Sequence, residues 1–166
     1  MIETIEFQGE YYPAFQAKGF AAQFVFPYAA KVCKGIGLDI GYSKAEWKFP
    51  GSIGVEPSID FTHDAMNLPD GEFDYIFSSH MIEHFKGNLA NLLDYWTTKL
   101  KSGGVLFLYL PDYSQKYWRF WNNRKHIHSL DGTIMRAYLE SSKKYKNIFI
   151  SGVDLNNSFS VMAEKI

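Results

Sequence analysis

The chain has 166 residues, 46% of them hydrophobic and 17% aromatic, which is enough to bury one sizeable core, so a single domain is expected. Its 17 basic and 18 acidic residues leave a formal net charge of -1. That balance offers no global attraction to a phosphate backbone or an anionic bilayer, so a nucleic-acid partner would need a local basic patch and is not expected.

The N-terminal MIETIEFQGE is acidic where a secretory leader would be basic and then apolar, and no later apolar run approaches the ~18 residues of a membrane span. A cytoplasmic protein without a membrane partner is the expectation. Over residues 12–34, Phe15, Phe20, Ala21, Phe24, Val25, Tyr28, Ala29 and Val32 fall at helical spacing, which predicts a helix packed by one face on a sheet. Pro27 lacks an amide hydrogen and should kink it or start a second helix. The lone Cys33 cannot form an internal disulfide and reads as a core thiol in a reducing compartment.

Two short apolar runs follow, residues 36–40 and 52–55, separated by a Gly- and Pro-punctuated loop at 42–51 that is too short for a full crossover helix. Residues 73–78 and 104–110 are near-continuous apolar runs rich in β-branched and aromatic side chains, the pattern of central strands covered on both faces of a parallel sheet. Between them, Leu89, Leu92, Leu93, Trp96 and Leu100 predict an amphipathic helix over 88–100, ended by Lys101-Ser102-Gly103-Gly104. A further helix is expected over 131–144, capped by Asp131 or Ser129, and then strands at 146–153 and 158–164 joined by a turn at 154–157. Strand alternating with helix, then a terminal hairpin, predicts a three-layer, Rossmann-like α/β fold with a mostly parallel central sheet. The basic runs Lys116, Arg119, Arg124, Lys125 and Lys143, Lys144, Lys146 read as solvated faces.

Chemistry concentrates in Leu38-Asp39-Ile40-Gly41-Tyr42-Ser43 and in the run from His63 to His84. A buried strand ending in Asp-Ile-Gly brings a carboxylate and an unhindered turn to the carboxyl edge of a sheet, where α/β folds place ligands. These segments resemble a class I S-adenosylmethionine-dependent methyltransferase of the type 11-like kind, with a degenerate glycine motif: the second glycine position is Ser43, and Tyr42 stands where a small residue is frequent. The resemblance spans roughly residues 35–110, with a weaker echo near the C-terminus, and implies S-adenosylmethionine as cofactor and methyl transfer to a small-molecule acceptor.

It further implies that Asp39, Gly41, Tyr42 and Ser43 meet the amino-acid part of the cofactor. By the same resemblance Glu56 accepts the ribose hydroxyls, Asp64 and Ala65 meet the adenine, Met66 lies on its face, and Ser79 at the end of the strand also binds the cofactor. Each has a plain alternative as a turn or strand-end residue. His80 is the first candidate for a general base, with His84 and Tyr109 behind it. Tyr113, Tyr117, Trp118, Phe120 and Trp121 are read either as a wall over the acceptor pocket or as packing.

Two other functions remain open from the sequence. One is a methyltransferase-like domain without activity that serves as a binding or regulatory module. The other is zinc hydrolysis, because His80-Met81-Ile82-Glu83-His84 matches an H-x-x-E-H pattern. That pattern needs a helix and a third ligand; here it follows a strand, and His126-Ile127-His128 reads as a surface loop, so no metal is expected.

Overall fold

The computed structural model describes residues 3–14 and 19–166. Its N-terminal feature is a hairpin, β1 (Thr4–Phe7) and β2 (Glu10–Pro13), paired antiparallel. Gln8 and Gly9 join the strands with φ of 51° and 79°, and two successive positive values fit the right-handed twist of the flanking strands. The helix expected from residue 12 therefore does not begin there, and residues 15–18 of it lie outside the described residues. A 3-10 turn at Ala21–Phe24 leads into α1 (Phe26–Val32), which carries Pro27 in its first turn, where its missing amide hydrogen costs no helical bond.

The central sheet has six strands in the order β4-β3-β5-β6-β8-β7. Strands β3 (Gly37–Ile40), β4 (Ile53–Val55), β5 (Phe73–Ser79) and β6 (Leu100–Pro111) run parallel, and β7 (Tyr145–Ile150) and β8 (Ser158–Lys165) close the sheet as an antiparallel pair, with β8 against β6. This is the expected architecture. The β3-to-β4 crossover is reduced to a 3-10 turn, Ala45–Trp47, as the short loop implied.

Helix α2 (Leu89–Lys99) is capped by Asn88, whose side chain accepts from the Asn91 amide, and α3 (Gly132–Ser142) by Asp131, which accepts from Ile134. The end of α2 differs from expectation. Leu100 is already extended, and residues 101–104 form an irregularity in β6, where the register jumps from Phe73 opposite Leu100 to Tyr75 opposite Val105.

Period-two alternation gives the sheet two unlike faces. Leu38, Ile40, Ile76, Leu106 and Leu108 join Leu92, Trp96, Met135 and Leu139 of the two longer helices in an aliphatic core. Tyr75, Phe77, Phe107 and Tyr109 join Ala21, Val25, Ala29, Cys33 and Phe49 in an aromatic one. Cys33 is buried there, and burial pushes its thiol up to about 12, so it behaves as an inert core residue.

Candidate functional site

The parallel strands β3, β4, β5 and β6 all end on one edge, and the loops leaving that edge enclose two clefts. One, of about 490 Å³, is lined by Asp39, Gly41, Tyr42, Ser43, Ser79 and His80 from the strand ends, and by Phe20, Trp118, Asn122 and His126 from the segments above them. The other, of about 560 Å³, is lined by Gly41, Glu56, Asp64, Ala65, Met66 and Met81. Gly41 borders both. Its φ of 89° is one that L side chains rarely adopt, and an added Cβ would collide with the Met81 side chain. The turn therefore demands glycine twice over.

Asp39 is almost wholly buried, and its Oδ2 accepts the Phe49 amide at 2.6 Å, which fixes the loop that replaces the crossover helix. Burial raises its carboxyl to about 7, against the lowering effects of the Phe49 bond and of Lys48. Tyr42 lays its ring where a Cβ on Gly54 would fall, bridging the ends of β3 and β4. Ser43 holds a φ of 56°, the left-handed conformation that a glycine would take without strain. Serine in the second glycine position thus keeps the backbone turn, at a cost of roughly 1–2 kcal/mol. The Ser79 hydroxyl is buried at the first cleft and has no hydrogen-bond partner among the described residues, so its bonding capacity is left to a water or a bound molecule.

In the second cleft, Glu56 accepts from the Ser58 amide at 3.0 Å and from its hydroxyl at 2.7 Å, and both bonds fall on Oε1. Asp64 is exposed, and its Oδ1 accepts from the Met66 amide at 2.7 Å, as in an Asx turn. Helix α2 sets the position of this turn: the Trp96 indole donates to the Ala65 carbonyl at 2.8 Å, and Tyr95 accepts from the Leu68 amide at 2.9 Å.

His80 leaves β5 with a φ of 49°, its amide donating to the Tyr109 carbonyl at 2.8 Å and its Nε2 standing 3.0 Å from the Ser158 hydroxyl. Burial drives its imidazole down to about 3, helped by the neighbouring His126 and His84, so the ring is neutral. The Tyr109 hydroxyl donates to Asp154 and accepts from Asn156, each at 2.7 Å, and burial together with the Asp154 bond raises its pKa, so the phenol keeps its proton and no phenolate is available as a base.

Ile82–His84 is a 3-10 turn, so the H-x-x-E-H run does not place its histidines on one face of an α-helix. Glu83 points inward beside His84 and His126, and burial raises its carboxyl to about 8. His126 is 5% exposed, stacked on Trp118 at 4.9 Å, which corrects the reading of its loop as a surface one. The aromatic wall is also narrower than expected. Tyr117 and Trp118 line the first cleft, whereas Trp121 is 63% exposed and packs edge-on to Tyr113. Sequence reasoning missed Asn122, Asn123, Lys125 and His126 as cleft residues. Nothing periodic marks that segment; the signal available was the density of polar and imidazole groups after the aromatic run.

A family profile described as a methyltransferase domain matches residues 9–142. Among solved structures, the chain is similar to an S-adenosylmethionine-dependent methyltransferase from Archaeoglobus fulgidus, with a TM-score of 0.67, 20% identity and coverage of 92% of this chain and 98% of that one. A possible histamine N-methyltransferase from Thermotoga maritima gives a TM-score of 0.68 at 16% identity, covering 92% and 95%. The N-methyltransferase NodS from Bradyrhizobium japonicum, in complex with S-adenosylhomocysteine, gives 0.60 at 11% identity, covering 91% and 87%. A search of the curated proteins finds no match.

Proposed function

The chain belongs to the methyltransferase domain family, and from that premise we propose that it transfers a methyl group from S-adenosylmethionine to a small-molecule acceptor, as a single-domain enzyme. The observation that carries this reading is the pair of clefts sharing Gly41. One offers a buried carboxylate and the unpartnered Ser79 hydroxyl, and the other offers Glu56 and the 64–66 turn. These residues fit a long ligand with a polar amino-acid end and a nucleoside end. Asp39, Gly41, Tyr42, Ser43 and Ser79 would hold the first, and Glu56, Asp64, Ala65 and Met66 the second.

S-adenosylmethionine, when bound, supplies an electrophilic methyl on a sulfonium. The chain's own share of the work is orientation and exclusion of water, which can supply much of the rate without a covalent enzyme intermediate. Asp39 in its ionised form would attract an ammonium group, and the free Oε2 edge of Glu56 would accept from a diol. His80 stands at the end of β5 beside the first cleft, neutral and near the Ser158 hydroxyl; pushed down to about 3 it is a weak base, suited to an acceptor whose proton turns strongly acidic as the methyl arrives. A reducing, cytoplasmic setting suits the lone buried thiol of Cys33. The described residues contain no helix long and apolar enough to cross a membrane.

Calorimetric titration with S-adenosylmethionine and S-adenosylhomocysteine tests the binding half of the proposal. Glu56→Ala should weaken both by roughly 1.5–3 kcal/mol, about ten- to a hundredfold, through loss of a charged acceptor. Unchanged affinity in the folded variant removes Glu56 from the site. A methylation assay over a library of small acceptors tests the other half, and turnover of none by a chain that binds cofactor would assign it a binding role instead.

A further inference from the structure

We propose that Glu83, His84 and His126 form a binding site for a divalent cation of the zinc class at the wall of the first cleft. The inference rests on side-chain geometry and does not depend on the methyl-transfer reading.

Glu83 is 1% exposed, and among the described residues its carboxyl oxygens have no hydrogen-bond partner; beside Oε1 stand two imidazole nitrogens, His84 Nε2 at 3.4 Å and His80 Nδ1 at 3.9 Å. A buried carboxyl with no partner either keeps its proton or gives it up to bind a cation, and a cation held between it and the imidazoles of His84 and His126 would satisfy its oxygens. Two imidazoles supply the remaining donors. His84 directs Nδ1 at the Lys125 carbonyl, 2.8 Å away, which leaves Nε2 as the lone-pair nitrogen, 3.4 Å from Glu83 Oε1. His126 lies flat against the Trp118 ring, with 3° between the planes. A backbone bond on the second ring nitrogen, such as His84 has to Lys125, is how ligating histidines are oriented and their tautomer fixed.

All three donor atoms lie within 4.8 Å of one another. With zinc-ligand bonds of about 2.1 Å, the edge of a tetrahedron is about 3.4 Å. The Glu83–His84 separation has that length already, and the widest gap needs to close by up to ~1.4 Å. The two loops are fixed together by their backbones, since the Ile127 and His128 amides both donate to the Glu83 carbonyl, at 2.9 and 3.2 Å. Two imidazole nitrogens and a carboxylate make a donor set suited to zinc, and three protein ligands leave a fourth position free. His84 and His126 both line the cleft, so that position is offered to whatever occupies it. The sequence expectation of no metal rested on the missing helix around Glu83 and on the reading of the His126–His128 loop as a surface one; the burial of His126 beside Glu83 removes the second ground.

The test is titration of the full chain, stripped by a chelator, with cobalt(II) and then zinc(II), read by visible absorption and elemental analysis. One cobalt per chain with tetrahedral absorption bands, displaced by zinc, is the expected result. Glu83→Gln and His126→Ala should each weaken uptake tenfold or more while thermal melts show them folded, and His84→Ala serves where either fails to fold. Absence of stoichiometric uptake by the folded wild-type chain, or uptake indifferent to these substitutions, overturns the site. S-adenosylhomocysteine titration in parallel separates the two proposals: a chain that binds it and takes no metal defeats the cation site alone, and a chain that takes metal and does not bind it defeats the methyl-donor reading alone.

Discussion

Alternate residues of β5 and β6 send Ile76, Leu106 and Leu108 to one side of the sheet and Tyr75, Phe77, Phe107 and Tyr109 to the other. On the aliphatic side two helices of 11 residues each cover the strands. The aromatic side has the 7-residue α1, a 3-10 turn and loops, and Leu155 near its edge stays 88% exposed. The difference separates two tasks. Branched aliphatic chains under regular helices make a stable base, whereas large flat rings under short segments leave room for clefts whose lining can vary.

The strongest way to break this comparison is Trp96→Ala. The side chain is fully buried on the aliphatic side and its indole holds the Ala65 carbonyl. Truncation should cost about 3–5 kcal/mol of stability and loosen the 64–66 turn. A calorimetric melt checks the first effect and cofactor titration the second; a loss below about 1 kcal/mol would show that the helical side is not the stabilising one.

Next in size is the pH dependence set by Asp39 under the aromatic side. Its folded carboxyl is raised to about 7 by burial, while the unfolded value is about 3.9. Between these values the folded chain holds the extra proton, so this group makes stability fall as pH rises from about 4 to about 7, by an amount of the order of a few kcal/mol, and contributes no further slope above that window. Asp39→Asn should flatten that part of the profile. Melts of both proteins at pH 4.5 and 8, buffer conditions chosen about the window, decide it: equal slopes would remove the carboxyl from the account.

The smallest effect sharpens the boundary of the cleft. Trp121→Ala should change stability by less than about 0.5 kcal/mol and leave cofactor affinity as it was, because the ring lies outside the lining. Trp118, at 5% exposure beneath His126, should not be so tolerant. Parallel melts and titrations of the two alanine variants measure the contrast.

What could be read in advance follows from the range of the interactions involved. Strands β5 and β6 and helix α2 announce themselves by periodicity, since each buries a pattern that local sequence contains. Asp131 was legible as a cap position for the same reason, whereas the capping role of Asn88 at the start of the expected 88–100 helix is shown by the structure alone. The hairpin was hidden because apolar residues 12–34 fit a helical period, and the Gln8–Gly9 turn lacks the Asn or Asp that makes such turns conspicuous. The strand-end carboxylates were visible as motifs, but the burial of Asp39 depends on Phe49 folding back over it. His126 could not be placed, because its partners Glu83 and Trp118 meet it through loops whose course no local pattern dictates.

One contact of the N-terminal hairpin bears on how the protein breathes. The Tyr117 amide donates to the Tyr12 hydroxyl at 3.2 Å, Phe7 and Tyr12 both pack on the Tyr117 ring, and Lys116 pairs with Glu10 at 3.1 Å. Residues more than 100 positions apart in sequence thus share one small interface. Segments joined in this manner open and close as a cooperative unit. The amides of β1 and β2 and that of Tyr117 should exchange with solvent deuterium in a single sub-global event, well before those of β5 and β6, so that fraying at the start of the chain loosens the roof of a cleft built from its middle.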